Sequence, residues 1–246
     1  MKALSHYSKA QFRLLLLHID NYRVDGDLNL LHEIRVDVKK VKAVLTLLKF
    51  SCPKFKAHKN FLPFRDIYRQ AGAIRESEVQ ATLLLRYNIQ GVRRLDSIDA
   101  KKNISSFILK TKKFQDFIQG HIKKLQPVIK SVTRRDLKRF VRAKIEEIKL
   151  RLKGKVDMKE IHRLRKSMKT VIYLSEVDNC VKPRLIKFYK KMEGVIGDFH
   201  DGQVLLGLLA KENKKVIDPS ARKIILSECR EFSSMIRRVS KKFYKR

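Results

Sequence analysis

Residues that interrupt regular structure are scarce in this chain. Only 9 Gly and 5 Pro occur among 246 residues, which argues against many tight turns and for long regular elements. Tryptophan is absent, and the 3 cysteines, Cys52, Cys180 and Cys229, are scattered with no C-x-x-C pair. An odd, dispersed set fits reduced intracellular thiols better than a disulfide framework. No apolar run approaches the roughly 18 residues that a membrane-spanning helix needs. The first residues hold an apolar run of only four, Leu14 to Leu17, so neither a membrane span nor a secretory signal is expected, and a cytoplasmic location follows. Acids are the scarcest class relative to their opposites, at 25 against 58 Lys and Arg, a formal charge of +33.

That excess is not a basic tail. Up to residue 130 there are 26 basic and 11 acidic residues, and after it 32 and 14. Such a charge opposes compaction through self-repulsion and seeks a polyanion. Nucleic acid, an acidic membrane surface and inorganic polyphosphate are the candidates. An apolar content of 43% predicts a packed interior rather than disorder.

Helical periodicity runs along the whole chain, and no segment alternates as a strand does. A first helix is expected over 6–24, with Phe12, Leu15, Leu16 and Ile19 on one side. A second runs from a cap at Asn29 to about Phe50. A third spans roughly 56–71, with Phe61, Phe64, Tyr68 and Ala71 at helical spacing as core and Pro63 clouding its start. A junction at 71–79 precedes a fourth helix ending near Tyr87. A long helix over 98–125 is expected to stop at Pro127. The later residues retrace this pattern: helices over 132–152 and 157–177 flank the loop Lys153-Gly154-Lys155, Pro183 opens another, and Asp218 or Ser220 caps the last. The reading is all-α, with two internal repeats, residues 1–130 and 131–246.

The stretch His32 to Leu48 shows the repeat best. On a helix, Ile34, Val38, Val41, Leu45 and Leu48 share one face, and His32, Arg35, Lys39 and Lys42 form a stripe beside it. The pattern H-x-x-R-x-x-x-K returns as His162, Arg165 and Lys169, and Leu164, Met168 and Val171 repeat Ile34, Val38 and Val41 at an offset of 130. Like charges one turn apart oppose an isolated helix by roughly 0.2–0.5 kcal/mol per pair, so a bound anion is the simplest compensation. A solvated basic face is the plainer alternative. A second pair of motifs lies at an offset of 125: Gly72, Arg75, Glu76 and Val79 match Gly197, His200, Asp201 and Val204.

These motifs resemble the CHAD domain, a family named for conserved histidines on an α-helical fold. Its first signature, near V-H-x-x-R-V-x-x-R-R-x-R, is similar to LHEIRVDVKKVK from Leu31 to Lys42. Its second, near L-H-x-x-R-K-x-x-K-x-x-R-Y, is similar to IHRLRKSMKTVIY from Ile161 to Tyr173. Its G-x-x-R-D-x-D-V junction resembles both GAIRESEV and GDFHDGQV. Departures are lysine for arginine at Lys39, Lys40 and Lys42, Ile172 in place of a basic residue, and Glu76 for Asp. The resemblance implies two tandem antiparallel four-helix bundles related by pseudo-two-fold symmetry, with a basic central cavity that binds inorganic polyphosphate. Some members of the family follow a triphosphatase-type CYTH domain, and no segment here reads as that β-rich domain.

The candidate site therefore contains Arg35, Lys39, Lys42, Arg165 and Lys169 as holders of phosphoryl oxygens. His32 and His162 are hydrogen-bond donors near the start of their helices, or else capping or core histidines. Lys40, Arg65, Arg69, Lys187 and Lys190 are second-choice contacts. Arg75 and His200 either line the site or tie a helix start to its neighbour, and Tyr173 closes the second motif. His32-Glu33 and Asp198, His200 and Asp201 offer metal-ligand types, but in cationic surroundings. No P-loop, carboxylate pair or Ser-His-Asp order appears. Non-catalytic binding of polyphosphate, or of other polyanions, is expected, with no metal, no cofactor and no membrane partner. The alternative is an RNA- or DNA-binding protein, although no RNP-type aromatic motif, helix-turn-helix or zinc-ligand set supports it.

Overall fold

The computed structural model describes residues 1–89, 97–153, 158–211 and 219–244, and every regular element among them is an α-helix. The eight helices are α1 (Lys2–Asp25), α2 (Leu28–Ser51), α3 (Ala57–Arg86), α4 (Ser97–Ser131), α5 (Arg134–Lys153), α6 (Met158–Ser175), α7 (Pro183–Lys211) and α8 (Pro219–Tyr244). They form two compact units, each discontinuous in sequence. One comprises Met1–Ser77, Leu95–Arg142 and Tyr173–Cys180, and the other Glu78–Arg94, Ala143–Ile172 and Val181–Arg246.

Local chemistry sets the helix ends. Gly26, at φ 65°, ends α1 in the left-handed conformation that glycine adopts without strain, and its N–H donates to Tyr22 O at 3.0 Å. Asp27 follows at once and caps α2, its carboxylate accepting from Asn29 N at 2.9 Å. The cap is therefore Asp27 and not Asn29, because Asn29 is already inside the helix. Thr133 and Asp136 form a reciprocal box at the start of α5, with Asp136 N donating to Thr133 Oγ1 at 3.1 Å and Thr133 N to Asp136 Oδ2 at 3.0 Å. Pro183 opens α7 as expected. Ser220 lies inside α8; Asp218 and Gly154-Lys155 lie outside the described residues.

Two expected breaks, at Pro127 and at the Gly72 junction, are continuous helix, and Pro63, expected near a helix start, is interior. Pro63 sits within α3 and Pro127 within α4, each at a cost of about 3 kcal/mol. Buried neighbours offset it: Phe64 and Ile67 after Pro63, and Leu125 and Ile129 around Pro127. The Gly72 junction is likewise interior to α3.

In the first unit, α1 packs against α2 and α4. The apolar stripe Ile34, Val38, Val41, Leu45 and Leu48 is wholly buried, with Phe12, Leu15, Ile19 and Tyr22 of α1. Tyr22 meets Phe107 of α4 edge-on at 5.4 Å. Each such side chain stabilises by about 1.5–3 kcal/mol, which outweighs the like-charge repulsion along the same helix. In the second unit α7 packs on α8, and Leu164, Met168 and Val171 of α6 are buried, as are Tyr189, Met192 and Ile196 of α7.

Candidate functional site

The cations of α2 meet α3 on aromatic faces. Arg35 stacks over the Tyr68 ring, Cζ 4.2 Å from its centroid, and Lys39 Nζ lies 5.7 Å from the same ring. One turn on, Lys42 Nζ lies 4.9 Å from the Phe61 centroid. Phe61 and Tyr68 are half-buried, whereas Phe64 and Ala71 are fully buried. The aromatic face read as uniform core thus divides, and its flank carries the cations. Cation–π contact contributes about 0.5–1 kcal/mol at exposed sites and more when desolvated.

Tyr68 also accepts from the guanidinium, Nη2 to the phenol oxygen at 3.0 Å and Nη1 to the backbone carbonyl at 3.4 Å. Arg35 Nε is buried with no hydrogen-bond partner among the described residues. Two of five N–H donors are therefore engaged. Burial lowers the guanidinium from its ordinary value; Tyr68 and Glu76 act against that, and Arg75 adds to it. Arg35 remains a cation at any physiological pH.

Gly72 explains this seat. A Cβ there would stand 1.9 Å from Arg35 Nη1, so only glycine lets the guanidinium lie against α3. The same construction occurs in the second unit. A Cβ on Gly197 of α7 would stand 2.9 Å from Arg165 Nη2. The two duplicated motifs, separate in sequence, are therefore joined in each unit by an arginine lying over a helical glycine. Arg75 and His200 fall inside α3 and α7, so neither ties a helix start. Arg75 acts electrostatically on Arg35, and the His200 ring lies 6.2 Å from that of His162.

The partner of the second arginine differs. Glu193 Oε1 accepts from Arg165 Nε at 2.7 Å and from Lys169 Nζ at 2.9 Å. Burial presses its carboxyl towards neutrality, but Lys169 and Arg165 outweigh that and hold it below the usual carboxylate range. His162 keeps an exposed face, yet partial burial, then Lys166, His200 and Arg165, lower it from its ordinary value.

Other candidates lie elsewhere on these helices. Lys40 faces Glu176 at 3.4 Å. Tyr173 is buried. Arg69, Lys187 and Lys190 are exposed and Arg65 is half-buried. His32 and His162 are each the fifth residue of their helix, one turn inside the unbonded N–H groups of the start, so the helix N-terminus is not what an anion beside them would meet. Sequence reasoning took Phe61 and Tyr68 for core and passed over Glu193. The offset of 125 that relates Gly72 to Gly197 also relates Tyr68 to Glu193, and that was the available signal.

Among the described residues no helix is long and apolar enough to cross a membrane, and no three His, Cys, Asp or Glu gather as a metal site. Compared with known proteins, residues 6–210 match the family model of the CHAD domain. No curated protein matches the chain.

Proposed function

The chain belongs to the CHAD domain family, and from that premise we propose that it binds inorganic polyphosphate without cleaving it, a single polymer engaging both cation stripes as the family's basic cavity implies. The observation that carries this reading is the repeated seat: in each unit an arginine is laid over a helical glycine beside further cations of the same motif. Arg35, Lys39, Lys42, Arg165 and Lys169 hold phosphoryl oxygens. His32 and His162 donate hydrogen bonds beside them. Arg75, His200 and the outer cations Lys40, Arg65, Arg69, Lys187 and Lys190 add to the attractive field, and Tyr173 supports the second motif. A hydrogen bond to a charged group contributes about 1.5–3 kcal/mol net. A few of these, partly offset by desolvation, reach micromolar affinity, since each 1.4 kcal/mol is about tenfold.

Competition tests the reading. Labelled long-chain polyphosphate is displaced with RNA, duplex DNA and nucleotide at one salt concentration, and the affinity is followed against salt. Polyphosphate binds most tightly, and log affinity falls linearly with log salt as counterions are released. Tighter binding of RNA than of polyphosphate at near-physiological salt would instead make this a nucleic-acid-binding protein, which the +33 charge alone would also suit.

A further inference from the structure

Glu193 stands in the second unit where the first has Tyr68. Each lies four residues before the glycine that seats the arginine. Under Arg35 the support is a phenol hydroxyl and a ring face. Under Arg165 it is a carboxylate. One oxygen of Glu193 sits between Arg165 Nε and Lys169 Nζ, at 2.7 and 2.9 Å. These are the two second-stripe cations assigned above to phosphoryl oxygens. An anionic oxygen shared by a guanidinium and an ammonium at these distances has the geometry that a phosphoryl oxygen would take.

The bridge is not a loose surface pair. Arg165 is 26% exposed, Lys169 21% and Glu193 22%, so water and salt screen it less than they screen surface charges. An incoming anion must displace the carboxylate or lie beside its negative charge. Either route weakens binding at this stripe. The first stripe imposes no such competition at Arg35, whose hydrogen bonds go to Tyr68 alone and which makes no ion pair among the described residues.

We infer that Glu193 is an internal counter-ion that competes with the polyanion for Arg165 and Lys169. The Arg35 seat is then the standing anchor, and the Arg165 seat is engaged only by ligands with enough phosphoryl groups, and so enough total charge, to break the Glu193 bridge. Glu193 is thus a specificity-determining residue: it discriminates against short anions in favour of long polymers. The inference rests on the polyanion-binding reading above.

The test uses the full chain and two probes, inorganic tripolyphosphate and long-chain polyphosphate. Glu193→Gln removes the competing charge and keeps the shape. It should tighten long-chain binding about tenfold, the worth of one charge-assisted contact, and tripolyphosphate binding by more, so that the preference for the polymer shrinks. Arg165→Ala should cost more affinity in the Glu193→Gln background than in the parent. In the other unit, Tyr68→Glu should weaken both probes, which keeps the inference falsifiable if Glu193→Gln does not fold. Unchanged or weaker binding by a folded Glu193→Gln protein, or unchanged binding by Tyr68→Glu, overturns the inference. If Arg35→Ala still loses affinity, that failure leaves the functional reading standing. A parent protein that binds neither probe overturns the functional reading itself.

Discussion

Arg35 and Arg165 occupy matching seats and meet opposite partners. Both lie over a glycine in the middle of a long helix, and both follow a histidine by three residues. Tyr68 receives the first on a ring and a hydroxyl, and Glu193 receives the second on a carboxylate. The contrast extends outward. Around α6 the acids already engage many cations: Glu147 bonds Lys144 and Arg151, and Glu160 bonds Arg163 and Arg151. What the two motifs share is room beside a backbone, and what differs is the charge that fills it. A count of basic residues therefore says little about which of them can receive a ligand. The residues after 130 carry the larger formal excess, yet their central arginine is the one with an internal counter-ion.

The largest expected effect comes from truncating the arginines separately. Arg35→Ala should weaken polyphosphate binding by roughly tenfold to a hundredfold, the range set by 1.5–3 kcal/mol for hydrogen bonds to a charged group. Arg165→Ala should cost only about threefold, because in the parent Glu193 already withholds part of that guanidinium from the ligand. Isothermal titration of both variants, with helicity checked by circular dichroism, reads the ratio. Equal losses would break the comparison, and a larger loss for Arg165→Ala would reverse it.

Glycine substitution separates the seat from the fold. Gly72→Ala places a methyl where Arg35 Nη1 now lies. The guanidinium is the far end of a flexible side chain and swings away, so the helix survives, and alanine favours it by about 1 kcal/mol over glycine. Thermal stability should hold or rise slightly while affinity falls about tenfold, one lost charge-assisted contact. Gly197→Ala meets Arg165 at 2.9 Å rather than 1.9 Å and should change affinity less. A destabilised Gly72→Ala protein would mean that the glycine serves packing and not the seat.

Much of this arrangement is legible in the sequence. The buried stripe from Ile34 to Leu48 follows from helical period alone, because apolar burial dominates that helix. The duplicated motifs can be aligned by eye. Two things are not legible. Gly72 and Pro127 read as breaks, and Pro63 as a clouded helix start, because local propensity knows nothing of the neighbours that override it. Phe61 and Tyr68 read as core with Phe64 and Ala71, because spacing places residues on a face but does not say what covers its edge. That edge is covered by Lys42 and Arg35 of another helix, a tertiary fact. Glu193 escaped notice for a related reason: an acid among the cations of α7 looks like ordinary surface mixing until its partners are known.

The smallest expected effect is a pH response, and it belongs to the second stripe. His162 sits where partial burial, then Lys166, His200 and Arg165, disfavour its proton. Without ligand the unfolded chain binds that proton more readily, so stability contributed here is present above the ordinary histidine range and falls as pH drops through it. A bound polyanion reverses the local potential and raises the pKa of the ring. Binding then takes up a proton between the free and bound values, so affinity rises as pH falls. The expected gain in affinity is small, about threefold, measured between about pH 8 and about pH 5.5. Glu193 stays ionised throughout that window, since Lys169 and Arg165 hold its carboxyl below the usual range, and the internal counter-ion does not obscure the response. Calorimetric titration in buffers of differing ionisation enthalpy counts the proton directly. His162→Gln should remove the part of the uptake and of the pH slope that this ring carries. If both survive unchanged in His162→Gln, the titrating group lies elsewhere and the second stripe has no pH response of its own. The two seats would then differ in the counter-ion at the arginine alone.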